Sequence, residues 1–136
     1  MFDLRAPRRG AVLISLASLA LVLAACAEGN GGAGGGTATV SGGNVDISAD
    51  NLEFDVGTIE ATAGEAFTVT LTNLEPMPHN FSVYTEEGGE EIAIGDFANN
   101  EGDTVTTSIP ALDAGEYFFV CDVHPTEMTG TLVVEG

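Results

Sequence analysis

The sequence contains no lysine, and its three arginines, Arg5, Arg8 and Arg9, all lie within the first nine residues. Of the 21 acidic residues only Asp3 lies among them, so the rest of the chain carries acidic charge without Lys or Arg to balance it. A surface of this sign repels nucleic acid and anionic lipid. The composition therefore argues against nucleic-acid binding, and it favours basic protein partners and solubility in high salt.

The sequence also lacks a long period of 3.6 residues, so we predict no major helix in the folded part. Its extended apolar stretch, Gly10–Ala25, follows the arginines and is shorter than the ~20 residues of a spanning helix. A basic start, a short apolar stretch and small residues at its end are typical of a secretory signal. We therefore predict that residues 1–25 are an export signal. Arg8 and Arg9 leave twin-arginine export open as an alternative to the general route.

Cysteine is scarce as well, with only Cys26 and Cys121 in the chain. The segment "LAAC", Leu23–Cys26, resembles a bacterial lipobox, which implies cleavage before Cys26 and lipid attachment to it. Ordinary cleavage after "ACA", Ala25–Ala27, is the alternative. The lipobox predicts an exported protein anchored by lipid at the extracytoplasmic face of a membrane. Cys121 is then left without a disulfide partner, which points to a reactive, intermolecular or metal-bound thiol.

Glycine is concentrated directly after Cys26. This composition predicts a flexible tether over residues 26–43, which has no core of its own. The remaining residues, 44–136, suffice for one compact domain. We find no internal repeat in these residues.

The domain reads as a series of short strands with turn residues between them. Such a pattern favours an all-β antiparallel sandwich or barrel. The stretch from Glu90 to Phe97 fits an irregular strand or a turn of helix. The predicted strands are "NVDIS", "FTVTLTN", "HNFSVY", "TVTTSI", "GEYFFVC" and "GTLVVEG".

Metal-ligating residues of the domain fall in two clusters, "EPMPHN" and "CDVHPTEM". The first holds His79 and the second holds Cys121, His124 and Met128. A thiolate and two imidazoles in a trigonal set, with a weak axial thioether, are the ligands of blue-copper electron-transfer sites. Each residue also has a plainer interpretation: an inert core thiol, a structural histidine or a core methionine.

Two segments, "MPHN" at Met77–Asn80 and "CDVHPTEMTGTLVV" at 121–134, resemble those of cupredoxins, the small blue copper proteins of the plastocyanin and amicyanin type. The resemblance implies a Greek-key β-sandwich or barrel with one type 1 copper ion. It implies His79, Cys121, His124 and Met128 as ligands. It also implies that Asn80 hydrogen-bonds across to the ligand loop, with Pro125 beside the ligands. The spacer before Met128 is one residue longer than in amicyanins and one shorter than in plastocyanins, so the axial bond length does not carry over.

The expected function is that of a one-electron carrier rather than an enzyme, because two histidines cannot supply a second copper centre. A lipoprotein that stores or delivers copper is the alternative, and a metal-free sandwich would be a third possibility. His124 is the expected port for electrons, with Met77, Pro78 and Pro125 as an apolar rim. Expected partners are redox proteins, such as a basic cytochrome or a membrane oxidase or reductase, and the carrier is expected to be a monomer. The acidic residues Glu86, Glu87, Glu90 and Glu91 are expected to be a solvated surface, with a docking patch for a basic partner as the alternative.

Overall fold

The computed structural model describes residues 35–136, which form ten β-strands and no helix. Within this range no helix is long and apolar enough to span a membrane. The predicted signal, the lipobox and the start of the predicted tether lie outside the described residues. The strands are β1 (Gly36–Thr39), β2 (Asn44–Asp50), β3 (Glu53–Phe54), β4 (Val56–Thr62), β5 (Phe67–Asn73), β6 (Ser82–Tyr84), β7 (Glu91–Ile94), β8 (Thr104–Ile109), β9 (Gly115–Val120) and β10 (Thr129–Glu135).

The strands form two sheets, a six-stranded one in the order β1-β4-β10-β9-β6-β7 and a four-stranded one in the order β3-β2-β5-β8. The prediction of an all-β sandwich is confirmed, but the prediction that it is antiparallel throughout is wrong. Strands β1 and β10 both pair with β4 in parallel, and β2 pairs with β5 in parallel. Parallel neighbours arise because the chain crosses repeatedly from one sheet to the other, so two adjacent strands need not be joined by a hairpin.

All six predicted strands are present, but strand β4, which lies between β1 and β10 in the six-stranded sheet, was not predicted. The alternation predicted for β5 is observed, with Phe67, Val69 and Leu71 buried and the threonines between them half-buried. Strand β4 was missed because its buried residues, Val56 and Ile59, are three positions apart and give no period of two. The ambiguous stretch from Glu90 to Phe97 contains strand β7 rather than a turn of helix.

The predicted boundary between tether and domain at Asn44 is too late. Strand β1, Gly36–Thr39, lies inside the predicted tether range and pairs with β4. Ala38 and Val40 pack against the core, and the Val40 N–H donates to the Glu60 carbonyl at 2.8 Å. Threonine, alanine and valine between the glycines supply the side chains that this pairing needs, and the glycine content obscured them in the sequence.

Three phenylalanines form the part of the core that underlies the candidate site. Phe54, Phe81 and Phe119 are buried, and their ring centroids lie 5.1 to 5.9 Å apart. Edge-to-face and tilted contacts of this kind are favourable beyond the area that they bury. Phe81 lies two residues after His79 and Phe119 two residues before Cys121. The aromatic cluster thus fixes the two segments that carry the candidate ligands.

Candidate metal centre

A tightly closed loop carries three of the predicted ligands. Cys121 directly follows β9, and β10 begins at Thr129. Within the loop the His124 N–H donates to the Cys121 carbonyl at 3.0 Å, and the Met128 N–H donates to the His124 carbonyl at 3.0 Å. The Cys121 N–H donates to the Met128 carbonyl at 2.9 Å and closes the turn. The spacer of three residues before Met128 therefore returns the chain beside Cys121.

The fourth predicted ligand, His79, is held opposite this loop by backbone pairing. Strand β6 is antiparallel to β9, with Ser82 paired to Val120, so the residues before β6 lie beside those after β9. His79 and Ala98 exchange two backbone hydrogen bonds, of 3.0 and 2.8 Å. Two strands and a bridge thus bring together residues 42 positions apart in the chain.

The ligand atoms of the cysteine and both histidines converge on one point. Cys121 Sγ lies 3.8 Å from His79 Nδ1 and 3.7 Å from His124 Nδ1, and all three atoms lie within 4.8 Å of one another. An ion about 2.3 Å from a thiolate sulfur and about 2.0 Å from an imidazole nitrogen, at an angle of about 120°, separates those atoms by about 3.7 Å. The observed distances fit a trigonal set of two nitrogens and one sulfur around a single ion.

Burial differs sharply among the four predicted ligands. His79, Cys121 and Met128 are fully buried, and His124 is half-buried. Met128 belongs to the same core cluster as Cys121, which is a free cysteine. An ion at this place would be shielded from water on three sides, and the exposed edge of His124 would be its contact with the surface.

Glu75, which the sequence analysis did not single out, fixes the protonation of His79. Its carboxylate lies 2.8 Å from His79 Nε2 and accepts the Leu52 N–H at 2.9 Å. The Leu52 hydrogen bond, with that from His79, holds the pKa of Glu75 below its usual value despite desolvation, so the carboxylate can only accept. The Nε2 atom must then carry the proton.

Burial also keeps the His79 ring neutral. Desolvation lowers the pKa of His79 more than the attraction of Glu75 raises it. With the single proton on Nε2, the lone pair of Nδ1 is free and faces Cys121 Sγ. A carboxylate that accepts the far N–H is the usual means of orienting a ligand histidine. No local pattern in "EPMPH" marked this pair, because a spacing of four residues brings side chains together on a helix and this stretch is a loop.

The loop that leads to His79 is braced by a second missed residue, Asn73. Its side-chain amide donates to the carbonyls of Met77 at 2.7 Å and Ala98 at 3.0 Å. Its oxygen accepts the Glu75 N–H at 3.0 Å. A single buried asparagine thereby fixes the backbone on both sides of the Glu75–His79 pair.

Asn80 joins the two candidate ligand segments. Its side-chain oxygen accepts the Asp122 N–H at 2.8 Å, and its amide donates to Asp122 Oδ2 at 2.6 Å. Asp122 also accepts from Ser82 Oγ at 2.5 Å and from the Tyr84 hydroxyl at 2.7 Å. Asn80 was predicted to make a contact of this kind, whereas Asp122, Ser82 and Tyr84 were not predicted from the sequence.

Several apolar side chains in and near the two ligand segments are exposed. The predicted rim residues Met77, Pro78 and Pro125 are exposed. Val123, which precedes His124, is 47% exposed. Phe97, which precedes Ala98, the bridge partner of His79, is 42% exposed. A cavity of about 210 Å³ beside the loop is lined by seven residues, among them Pro125, Tyr84 and Asp122. The four glutamates at positions 86, 87, 90 and 91 are exposed at the β6–β7 turn.

Comparisons with known proteins identify a family and similar folds. A family model described as a cupredoxin-like domain matches residues 13–134. Auracyanin A, a blue copper protein of the green thermophilic photosynthetic bacterium Chloroflexus aurantiacus, is 24% identical, with a TM-score of 0.60 over 73% of this chain and 99% of that one. Dithionite-reduced auracyanin of the photosynthetic bacterium Roseiflexus castenholzii is 21% identical, with a TM-score of 0.60 over 70% and 98%.

Amicyanin is also similar. A reduced variant of it is 29% identical, with a TM-score of 0.52 over 71% of this chain and 86% of that one. Another amicyanin structure among the matches is a reduced Cu(I) form. No curated protein matches the sequence.

Proposed function

Because the chain belongs to the family of cupredoxin-like domains, we propose that it carries single electrons by means of one copper ion. The ligands are His79, Cys121, His124 and Met128. The observation that carries this proposal is the pair of distances from Cys121 Sγ to the Nδ1 atoms of His79 and His124, 3.8 and 3.7 Å. Copper supplies the redox couple, since the soft thiolate suits Cu(I) and imidazole tolerates both oxidation states.

The protein contributes a rigid and dry ligand set. The hydrogen-bonded loop 121–128 and the bridge between His79 and Ala98 fix the donors before any metal binds. His79 and Met128 are fully buried, so their sides of the centre are shielded from bulk water. A frame that does not rearrange between oxidation states keeps the cost of electron transfer low, which is what a carrier needs.

Electrons enter and leave through His124, the one candidate ligand with an exposed edge. The apolar residues around it, including Met77, Val123 and Pro125, suit brief docking through a small interface. The partners are redox proteins, and the uniformly acidic surface favours basic ones, such as a cytochrome or a membrane oxidase or reductase. A monomer suits such transient contacts.

We extend the proposal to the location of the protein. Lipid on Cys26 anchors it at the extracytoplasmic face of a membrane, and the short segment before β1 keeps it close to membrane-bound partners. Mass spectrometry of the N-terminal peptide tests this: the expected result is a lipid-modified Cys26. The Cys26→Ala variant should partition into the aqueous phase. A chain that begins after Ala27 would show ordinary signal cleavage instead.

A copper store or delivery protein is the alternative, and the exposed edge of His124 favours it, because the same edge gives an incoming chelator access to the ion. Electron self-exchange separates the two functions. A carrier exchanges electrons between its oxidised and reduced forms much faster than it releases copper to a chelator. A delivery protein shows the reverse order.

Copper loading of the full chain, purified in detergent, tests the proposed function. We expect one Cu(II) per chain and an intense visible absorption band from thiolate-to-copper charge transfer. The Cys121→Ser variant should lack the band, while Ser108→Ala, a change in β8, should leave it intact. A colourless wild-type complex would reject the proposal.

A further inference from the structure

Asp122, the residue that follows the thiolate ligand, has an unusual environment for a carboxylate. It is only half-buried, yet it accepts three side-chain hydrogen bonds, from Asn80 at 2.6 Å, Ser82 at 2.5 Å and Tyr84 at 2.7 Å. Its own N–H donates to Asn80 at 2.8 Å. Four hydrogen bonds thus tie one loop residue to a single neighbouring segment.

The three donors come from alternate positions of one segment. Side chains two residues apart in an extended chain point to the same face, so positions 80, 82 and 84 can all reach one carboxylate. Strand β9 ends at Val120, where its ladder with β6 also ends. The Asp122 side chain continues the attachment to β6 past that point, where the backbone has turned away to form the ligand loop.

The carboxylate also keeps its charge. All three side chains donate hydrogen bonds to the carboxylate, and hydrogen bonds accepted by the charged form favour that form. The chain has no lysine, and its arginines all precede the described residues, so no Lys or Arg in residues 35–136 can neutralise this charge. The residue next to the thiolate ligand Cys121 therefore carries a half-buried negative charge.

We propose that Asp122 is a positioning residue of the metal centre that holds the Cys121 loop against β6 and, through its charge, favours the oxidised over the reduced ion. This rests on the proposed function, because the second effect needs a redox-active copper. A negative charge near the metal stabilises the higher positive charge of Cu(II) more than that of Cu(I), and so lowers the reduction potential.

Two variants separate the two effects. Asp122→Asn keeps the shape, removes the charge and weakens the hydrogen bonds, because an amide has one acceptor oxygen where a carboxylate has two. Tyr84→Phe keeps the charge and removes one donor, which leaves the carboxylate more strongly negative. Loss of either contact should loosen the loop in the metal-free protein, but the two changes should move the potential in opposite directions.

The experiment uses the full chain in detergent. Urea unfolding is measured on the metal-free protein, and the reduction potential on the copper-loaded protein. Asp122→Asn should lower the unfolding midpoint and raise the ratio of Cu(I) to Cu(II) affinity about tenfold, which is about 59 mV for one electron. Tyr84→Phe should lower the midpoint as well and shift the potential slightly downward. Asp113→Asn, which removes an exposed carboxylate elsewhere, is the matched charge control and should change neither quantity measurably.

Three results would overturn the inference. One is a shift for Asp122→Asn no larger than that for Asp113→Asn, and another is an unchanged unfolding midpoint in both network variants. The third is a potential that moves the same way in both, since loosening alone would explain it. If Asp122→Asn does not fold, Tyr84→Phe still decides through its midpoint and the sign of its shift. A wild-type chain that binds no copper would refute both the proposed function and the electrostatic effect. The unfolding data on the metal-free protein would still decide the positioning role of Asp122.

Discussion

At the scale of single residues, the candidate centre depends on which nitrogen of His79 carries the proton. The Nε2–H of His79 is directed at Glu75, and this leaves Nδ1 available to a metal. The hydrogen bond also sets the plane of the ring. Loss of such an outer partner typically costs about 10- to 100-fold in metal affinity.

We therefore expect two replacements of Glu75 to weaken copper binding to different extents. Glu75→Ala removes the acceptor and frees the ring, and we expect copper affinity to fall about 10- to 100-fold. Glu75→Gln retains an acceptor oxygen and should lose less. Competition with a chelator measures both affinities. Equal affinities in both variants and the wild type would contradict the assignment of the His79 proton to Nε2.

Tyr84 is expected to titrate at high pH, because its hydroxyl donates to Asp122. The hydrogen bond to that carboxylate, together with burial and its charge, raises the pKa of Tyr84 to about 12. The folded state then holds a proton that the unfolded state loses near pH 10. The contribution of Tyr84 to stability is thus complete below pH 10 and is lost as the pH rises from 10 to about 12.

Tyrosinate absorbance checks this titration, since the chain has only two tyrosines. The step near pH 12 should disappear in Tyr84→Phe. If the tyrosine that is missing from Tyr84→Phe titrates at its ordinary pKa in the wild type, the hydrogen bond to Asp122 is not formed in solution.

At the scale of elements, β1 makes the start of the domain part of the six-stranded sheet. Without it, the β4 edge would be unpaired, and the side chains of Ala38 and Val40 would leave the core. A chain that begins at Asn44 should therefore be less stable than one that begins at Gly35, by about 1–3 kcal/mol from the lost apolar burial. Urea unfolding of the two chains compares them directly. Equal stability would restore the interpretation of residues 36–43 as tether.

The sequence was sufficient wherever a strand has one buried face. Strand β5 alternates cleanly because Phe67, Val69 and Leu71 all face the core, and the pattern predicted it. Strand β4 did not alternate, and the parallel pairing of β1, β4 and β10 depends on crossovers between sheets that no local pattern records. The four candidate ligands stood out in the sequence because their residue types are rare and clustered. The partners that orient them were not, because Glu75 and Asp122 are ordinary acids until the fold brings them to His79 and Asn80.

At the scale of the whole molecule, charge of one sign dominates. Residues 35–136 contain no lysine or arginine, and 19 of the 21 acidic residues lie there, since only Asp3 and Glu28 precede them. Mutual repulsion of these charges destabilises the compact state at low ionic strength.

Added salt should therefore stabilise the protein. Screening shortens the range of repulsion from about 30 Å at 0.01 M to about 10 Å at 0.1 M. We expect the thermal midpoint to rise steeply across this range in sodium chloride. Sodium sulfate at equal ionic strength is the control, because it also strengthens apolar burial. A midpoint independent of sodium chloride would show that the acidic surface is not under repulsive strain.

The same screening should slow electron transfer to a basic partner while it stabilises the fold. Attraction between opposite charges raises the association rate most at low salt. An electron-transfer rate that falls with added salt while the thermal midpoint rises distinguishes a docking surface from a surface that serves solubility alone.

The proposed function requires that one copper ion, held by His79, Cys121, His124 and Met128, takes up and releases one electron. A redox titration of the copper-loaded full chain, followed by its thiolate-to-copper absorption, tests it most directly. We expect one copper per chain and a band that disappears and returns in a single reversible step, with a slope of about 59 mV per tenfold change in the ratio of oxidised to reduced protein. Copper bound without that band, or a band that does not return on reoxidation, would show that the protein is not a one-electron copper carrier.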